Sequence, residues 1–252
     1  MIKIENIEVT GWRHAIRGMR NPMNSWEKSN SCTQGSVWCN EFCENSIPEC
    51  DKESGLYIGP NDLNLMKQLR SAGTDHRKFM RMIAVYLDIT APLYWWKEFD
   101  TYKVGTVANS CSTMHKIQAK EFDRGDFSHE HIPKGSGAYS DTWDIKTSGM
   151  FFCLNEEDGI YLSSEDILDC MIRALNHYRE KYLVTGDKKY WWQMIQLLPS
   201  SYNQKRTIML NYEVLANIYK SRRNHKLDEW VDFCKWIETL PYSVLITSRG
   251  EK

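Results

Sequence analysis

The sequence predicts a single-domain α+β protein, and three observations carry that expectation. Ile2 to Val9 alternates apolar and polar residues, the two-residue period of a half-buried strand. Phe79 to Ile89 holds a dense apolar run, Met82 to Leu87, that reads as a buried strand, although a helix also satisfies it. Amphipathic helical stripes interleave with these segments, with no internal repeat and no low-complexity linker to separate domains.

The elements follow in order. After the first strand, the segment 18–60 is rich in Asn, Ser, Gly and Pro and lacks apolar periodicity, so a long irregular excursion is expected. Asn61-Asp62 offers side-chain oxygens for a helix N-terminus, and Leu63, Leu65, Met66 and Leu69 give its stripe as far as Gly73. Pro92 suits a first helical turn, which predicts a helix over Leu93 to Tyr102. A second irregular excursion is expected near 125–160. Ser164 to Leu183 is the clearest helix, with Ser164 as its cap, Ile167, Leu168, Met171, Ile172 and Leu175 as its apolar face and Gly186 as its end. Helices are also predicted over Tyr190 to Leu198, stopped by Pro199, over Asn211 to Arg222 and over Leu227 to Leu240.

Composition narrows the class. Of 252 residues, 42% are hydrophobic, enough for a sizeable core, and ten Trp and thirteen Tyr point to dense core or interface packing. Tyr94, Trp95, Trp96 and the pair Trp191-Trp192 are read in that way. The net charge of -1 gives no electrostatic case for nucleic acid or membrane partners. Met1 to Thr10 lacks a basic n-region before an apolar stretch, so no signal peptide is read and a cytoplasmic location is expected. Eight Cys are then reduced thiols. Four of them fall between Cys32 and Cys50, but without the paired Cys-x-x-Cys knuckles of a zinc site, and no metal is expected. His129 and His131 are read as solvent-exposed.

Three stretches carry a resemblance. The C-terminal one contains Leu198-Pro199, Asn211, Leu215, Asn217, Arg222, His225 and Glu229. The second has Pro92 opening a helix, Thr101-Tyr102-Lys103, eight residues, then Ser112. The third places His76 sixteen residues before Pro92. Together these residues, within about 73–117 and 178–240, resemble the flavin-dependent thymidylate synthases (ThyX), which make dTMP from dUMP with FAD, methylenetetrahydrofolate and NADPH. The resemblance implies a mostly antiparallel sheet with packed helices and a homotetramer; with the balanced charge, no nucleic-acid or membrane partner is expected. It implies that Asn211 and Asn217 contact FAD, with His76 helping to shape the flavin site. Arg222, Ser112 and Lys103 would hold the nucleotide, with Ser112 and Arg222 at the reacting end. Guanidinium binds phosphate bidentately, so Arg222 suits that task.

The departures from the pattern are specific. The Arg-His-Arg of the family is reduced to Thr101-Tyr102-Lys103, an Asn-Glu to Asn109-Ser110, and the Arg after the signature Ser to Thr113 and Met114. A family Gln becomes Glu98 and a family Arg becomes Ile195. The family's Arg two places after the first Asn is Glu213, and its Glu in the His motif is Arg81. Replacement cations lie nearby: Arg77, Lys78 and Arg81 beside His76, and Lys205, Arg206 and Arg223 beside the C-terminal motif. The leading expectation is a ThyX-like enzyme acting on a pyrimidine deoxynucleotide. The alternatives are a noncatalytic nucleotide-binding or interaction protein on this scaffold, and an enzyme for a different nucleotide.

Overall fold

The structure, a computed structural model, describes residues 2–32, 56–132, 143–144 and 161–248. The remaining cysteines of the Cys32–Cys50 cluster and most of the 125–160 excursion lie outside the described residues.

The chain opens with β1 (Lys3–Thr10) and α1 (Trp12–Arg20). The sequence reading missed α1, whose apolar face is short. Trp12, Ala15, Ile16 and Met19 are buried along it. Gly11 precedes α1 at φ +91°, and a Cβ there would lie 1.9 Å from the carbonyl oxygen of Met82, so only glycine fits. The next helix, α2 (Pro60–Ser71), starts before the expected Asn61-Asp62 cap, with Gly59 extended before it and Pro60 in the first turn. Asp62 instead turns inward and is fully buried. It accepts from Arg20 Nε at 2.7 Å, Ser29 Oγ at 2.7 Å, Ser31 Oγ at 2.6 Å and the Asn30 backbone N–H at 3.1 Å. Burial opposes its charge, but these donors outweigh burial and hold the carboxyl below its ordinary value.

The apolar run expected as a strand from Phe79 divides in two. Arg77–Met82 is a 3₁₀ turn with Phe79 and Met80 buried, and β2 (Ala84–Pro92) follows. α3 (Leu93–Phe99) stops short of Tyr102. β3 (Val107–Ser110) and β6 (Asn203–Asn211) were not foreseen, because their sequences are largely polar. Between them lie the short pair β4 (Trp143–Asp144) and β5 (Tyr161–Leu162), antiparallel with Trp143 opposite Leu162. α4 (Ser164–Thr185) is capped by Ser163 rather than Ser164, in a reciprocal box with Asp166, and ends at Gly186. α5 (Lys188–Leu197) begins at an Asp187 cap, earlier than Tyr190. α6 (Tyr212–Arg222), α7 (Asp228–Glu238) and the short α8 (Val244–Thr247) complete the chain.

The expected α+β class and antiparallel sheet are found. The strand order is β1-β2-β6-β3. Tyr212 N–H donates to Ile83 O at 3.1 Å and Leu93 N–H to Tyr202 O at 3.0 Å, so β2 and β6 run in opposite directions. No helix among the described residues is long and apolar enough to cross a membrane.

The chain gathers into two compact units. The first comprises residues 90–98 and 110–205. Its core joins Ile117, Phe122 and Phe127 to Leu168, Leu175 and Met194. Asn176 on α4 clamps the Phe122 backbone, accepting from its N–H at 2.8 Å and donating to its carbonyl at 2.9 Å. Trp95 and Trp96 are buried edge-to-face at 4.8 Å, as packing residues, and the Trp96 indole N–H donates to Gln204 O. The second unit comprises residues 2–89, 99–109 and 206–252. There Trp12 meets the Tyr212 ring at 5.1 Å, and Phe99, Trp230 and Phe233 form a buried aromatic cluster.

Candidate functional site

In the second unit, α6 carries two of the residues singled out in the sequence, Asn217 and Arg222, and a third, Asn211, caps it. Its exposed side forms one wall of a cavity of about 490 Å³. Asn217, Lys220 and Arg223 follow one another at three-residue steps and line it, together with Arg70, Ser71, Gly73, Arg77 and the α8 residues Ile246 and Thr247. Among the described residues, four cations and no carboxylate line this space. Arg70 is engaged, donating to the carbonyls of Leu245 (2.9 Å), Ile246 (3.3 Å) and Ser248. Burial and the nearby Arg77 charge lower its pKa. The side chains of Lys220 and Arg223 form no hydrogen bond or ion pair among the described residues, which leaves their charge for an anion.

Glu213 organises the neighbouring wall. It is buried and accepts from Arg77 Nε at 3.1 Å and from Arg81 Nε and Nη2. Burial pulls its pKa upward, but the two arginines outweigh burial and hold the carboxyl below its ordinary value. Arg77 also donates to Asn217 Oδ1 at 3.3 Å, so Glu213 positions an arginine and an amide of the cavity at once.

At the end of α6, Arg222 is fixed in a second cluster. Its Nε donates to Tyr102 Oη at 3.0 Å, and one Nη lies 2.9 Å from His225 Nε2, which therefore accepts. The guanidinium lies over the Trp230 ring, 4.8 Å from its centroid, and over Tyr102 at 5.8 Å. Lys103 is exposed on the turn that follows Tyr102. Gly105 closes that turn at φ +79°, and a Cβ there would approach Asn211 Nδ2 to 2.9 Å. Asn211 itself is the N-cap of α6, its Oδ1 accepting from Val214 N–H at 3.1 Å.

The other sequence candidates are more isolated. His76 is exposed at the start of the 3₁₀ turn, and its backbone N–H donates to the cavity-lining Gly73 at 3.1 Å. Ser112 belongs to the first unit and is exposed. Its Oγ accepts from Met114 N–H at 3.2 Å and His115 N–H at 2.9 Å, which leaves its O–H to donate outward. His129 is half-buried, with Nδ1 2.8 Å from Phe127 O, and no three metal-binding side chains converge among the described residues. Of the nearby cations, Arg77 and Arg223 line the cavity, whereas Arg206 is paired with Asp100 at 2.7 Å. Arg70 and Lys220 were not singled out in the sequence. The three-residue stripe Asn217–Lys220–Arg223 was the available signal for Lys220, and nothing local marks Arg70.

No protein-family model matches the sequence, and no curated protein matches it either. Solved structures do match. The Helicobacter pylori flavin-dependent thymidylate synthase ThyX, complexed with FAD and dUMP, is 15% identical with a TM-score of 0.58, covering 97% of each chain. The fold is that of the flavin-dependent thymidylate synthases. The UMP/dUMP methylase PolB from Streptomyces cacaoi, bound with 5-Br UMP, is 11% identical with a TM-score of 0.53, covering 95% of this chain and 88% of that one. Against the ThyX sequence pattern, Arg81 and Glu213 were two separate departures, a Glu replaced by Arg and an Arg replaced by Glu. In the structure they are the two ends of one ion pair.

Proposed function

We propose that this chain is a flavin-dependent enzyme that acts on a pyrimidine deoxynucleotide, methylating dUMP to dTMP or making a related modification, as a cytoplasmic homotetramer. The observation that carries the reading is the cavity bounded by Arg70, Arg77, Lys220 and Arg223, with no carboxylate among the described lining residues, on the α6 helix that also bears Arg222. The donor set fits FAD: a pyrophosphate needs cations and hydrogen-bond donors, and Arg77, Lys220, Arg223 and Asn217 supply them. These residues would hold the cofactor, with His76 at its flank and Asn211 holding the α6 terminus in place. Bound flavin would supply hydride transfer and carriage of the one-carbon unit, drawn from NADPH and methylenetetrahydrofolate. Arg222 would bind the nucleotide phosphate, because stacking on Trp230 and bonds to Tyr102 and His225 orient its guanidinium before the ligand arrives. Lys103 adds an exposed charge on the same turn. Ser112 offers a donating hydroxyl to the nucleotide and acts as an orienting group. The two related structures bind FAD with dUMP, and 5-Br UMP, respectively, which supports this ligand class.

The test is an absorbance titration of the purified protein with FAD, followed by dUMP binding. Flavin should bind with a shifted spectrum and lose that binding in Asn217→Ala/Lys220→Ala/Arg223→Ala. Arg222→Ala should keep the flavin and lose dUMP. A colourless protein that ignores FAD sinks the reading. One observation favours a noncatalytic nucleotide-binding protein: Tyr102, in the middle of the altered Arg-His-Arg position, spends its hydroxyl on Arg222. Its mark would be dUMP binding with no flavin.

A further inference from the structure

A second basic cavity, of about 360 Å³, lies beside α1 and is lined by Arg13, Ile16, Arg17, Arg20, Trp26, Ser29 and Ser31. Its arginines have different tasks. Arg20 is buried and structural: Nε donates to Asp62 at 2.7 Å, Nη1 to Ser25 O at 3.2 Å and Nη2 to Lys28 O at 3.2 Å. Asp62 in turn accepts from both serines of the wall, Ser29 and Ser31. The segment 25–31 is thereby tied to α1 and α2 through a buried polar network. Arg13 and Arg17 are exposed, one helical turn apart, roughly 5–6 Å between Cβ atoms. Their side chains form no hydrogen bond or ion pair among the described residues. Trp26 is half-exposed, and its indole N–H donates to Asn21 Oδ1 at 2.9 Å, which fixes the ring rather than leaving it to turn. Ile16, largely buried, closes the wall between the two arginines.

An aromatic face held by a hydrogen bond and two adjacent guanidinium groups match one kind of ligand. Bases stack on aromatic rings, and neighbouring guanidiniums clamp phosphate through paired N–H donors. The cavity also lies in the size range of small-molecule sites, about 300–1,000 Å³. We propose that it is a second ligand site, for a nucleoside monophosphate, with the base against Trp26 and the phosphate between Arg13 and Arg17. It shares no residue with the cavity on α6 or with the Arg222 cluster, so it stands whether or not the flavin reading does.

The experiment uses the full chain carrying Lys220→Ala, Arg223→Ala and Arg222→Ala, which removes three cations of the two sites on α6. UMP, AMP, uridine and inorganic phosphate are titrated calorimetrically. UMP and AMP should each fill one remaining site. Adding Arg13→Ala and Arg17→Ala should weaken both by about tenfold per guanidinium lost. Arg13→Lys/Arg17→Lys should recover part of that loss, since the charge remains and the fork does not. Trp26→Ala should weaken the nucleotides and leave inorganic phosphate unchanged. Thermal melts of the Arg13/Arg17 variants should match the parent, because neither side chain is packed. The proposal is overturned if no saturable nucleotide binding remains in the starting variant. It is equally overturned if binding survives Arg13→Ala/Arg17→Ala, or if phosphate binds as tightly as UMP, which would make this a bare anion site.

Discussion

Glu213→Gln removes the carboxylate shared by two arginines while keeping the side-chain volume, and its cost follows from burial. The Arg81 side chain is 53% exposed, so its half of the interaction behaves as a surface pair, about 0.5–1 kcal/mol. Arg77 at 20% and Glu213 at 11% are nearer the buried case, where removing one partner of a fully buried pair costs about 3–5 kcal/mol. Intermediate burial scales that half to about 2 kcal/mol, and the total of about 2.5–3 kcal/mol lowers Tm by roughly 5–10 °C. Thermal unfolding followed by circular dichroism at pH 7 reads this directly. The pH dependence has a definite sign. Burial raises the Glu213 pKa, but the bonds from Arg81 and Arg77 lower it further, so the folded value lies below the unfolded one. The stabilisation is therefore fully present above the unfolded value, about 4.3, and is lost as pH falls through the folded value. The Tm gap between the native chain and Glu213→Gln should stay constant from neutrality down to about pH 5 and close in stronger acid. A gap under about 1 °C at pH 7, or one that widens in acid, refutes the argument. Exchanging the partners sharpens it: Arg81→Glu/Glu213→Arg restores the pair but sets the new arginine beside Arg77, so recovery should be partial until Arg77→Gln is added.

Gly11→Ala should unfold the second unit or lower Tm by more than about 10 °C, because its Cβ would lie 1.9 Å from a backbone oxygen at φ +91°; Gly18→Ala, whose Cβ would meet only the flexible Met82 Sδ at 3.1 Å, should cost far less. If the two variants melt alike, the close approach at Gly11 is not what holds α1. Asp62→Asn breaks a fully buried pair with Arg20 and should cost about 3–5 kcal/mol near neutrality, read by urea unfolding. The folded pKa of Asp62 is depressed, so this difference should shrink as acid protonates the native carboxylate, and an unchanged difference at pH 3 contradicts the assignment.

The helices were legible because they declare themselves locally. The apolar stripe of α4, the Gly186 stop and the Asn211 cap need no tertiary information. β6 was hidden because its first five residues, Asn203 to Thr207, are all polar or charged although Gln204 among them is buried, and a strand whose opening half holds Lys205 and Arg206 reads as a loop. α1 was hidden for a related reason: four of its nine residues are charged or imidazole-bearing, and one is Gly. Asp62 was misread as a cap because local chemistry favours that role for Asp, whereas its partners Arg20, Ser29 and Ser31 are some thirty to forty residues away in the chain.

The proposed site residues were named one position at a time, and the charge balance around Glu213 is not visible at that level. Read one position at a time, Glu213 and Arg81 are a lost cation and a lost anion, and both count against anionic ligands. Read as the pair they form, they exchange signs and leave the local sum unchanged, while Arg77 at the same carboxylate adds one positive charge. An anion responds to the field of the group rather than to which side chain carries it. The missing family cations therefore weigh less against ligand binding than their number suggests, with Lys220 and Arg223 unpaired on the adjacent face. The altered Arg-His-Arg position is different. There Thr101 and Tyr102 bring no charge, and under the proposed reading Lys103 and the pre-oriented Arg222 would be the cations that meet a phosphate. Two cations in place of several predict a nucleotide site that depends steeply on Arg222, so Arg222→Lys, which keeps the charge but gives up the fork and the stack on Trp230, is the substitution that separates electrostatic attraction from geometric recognition.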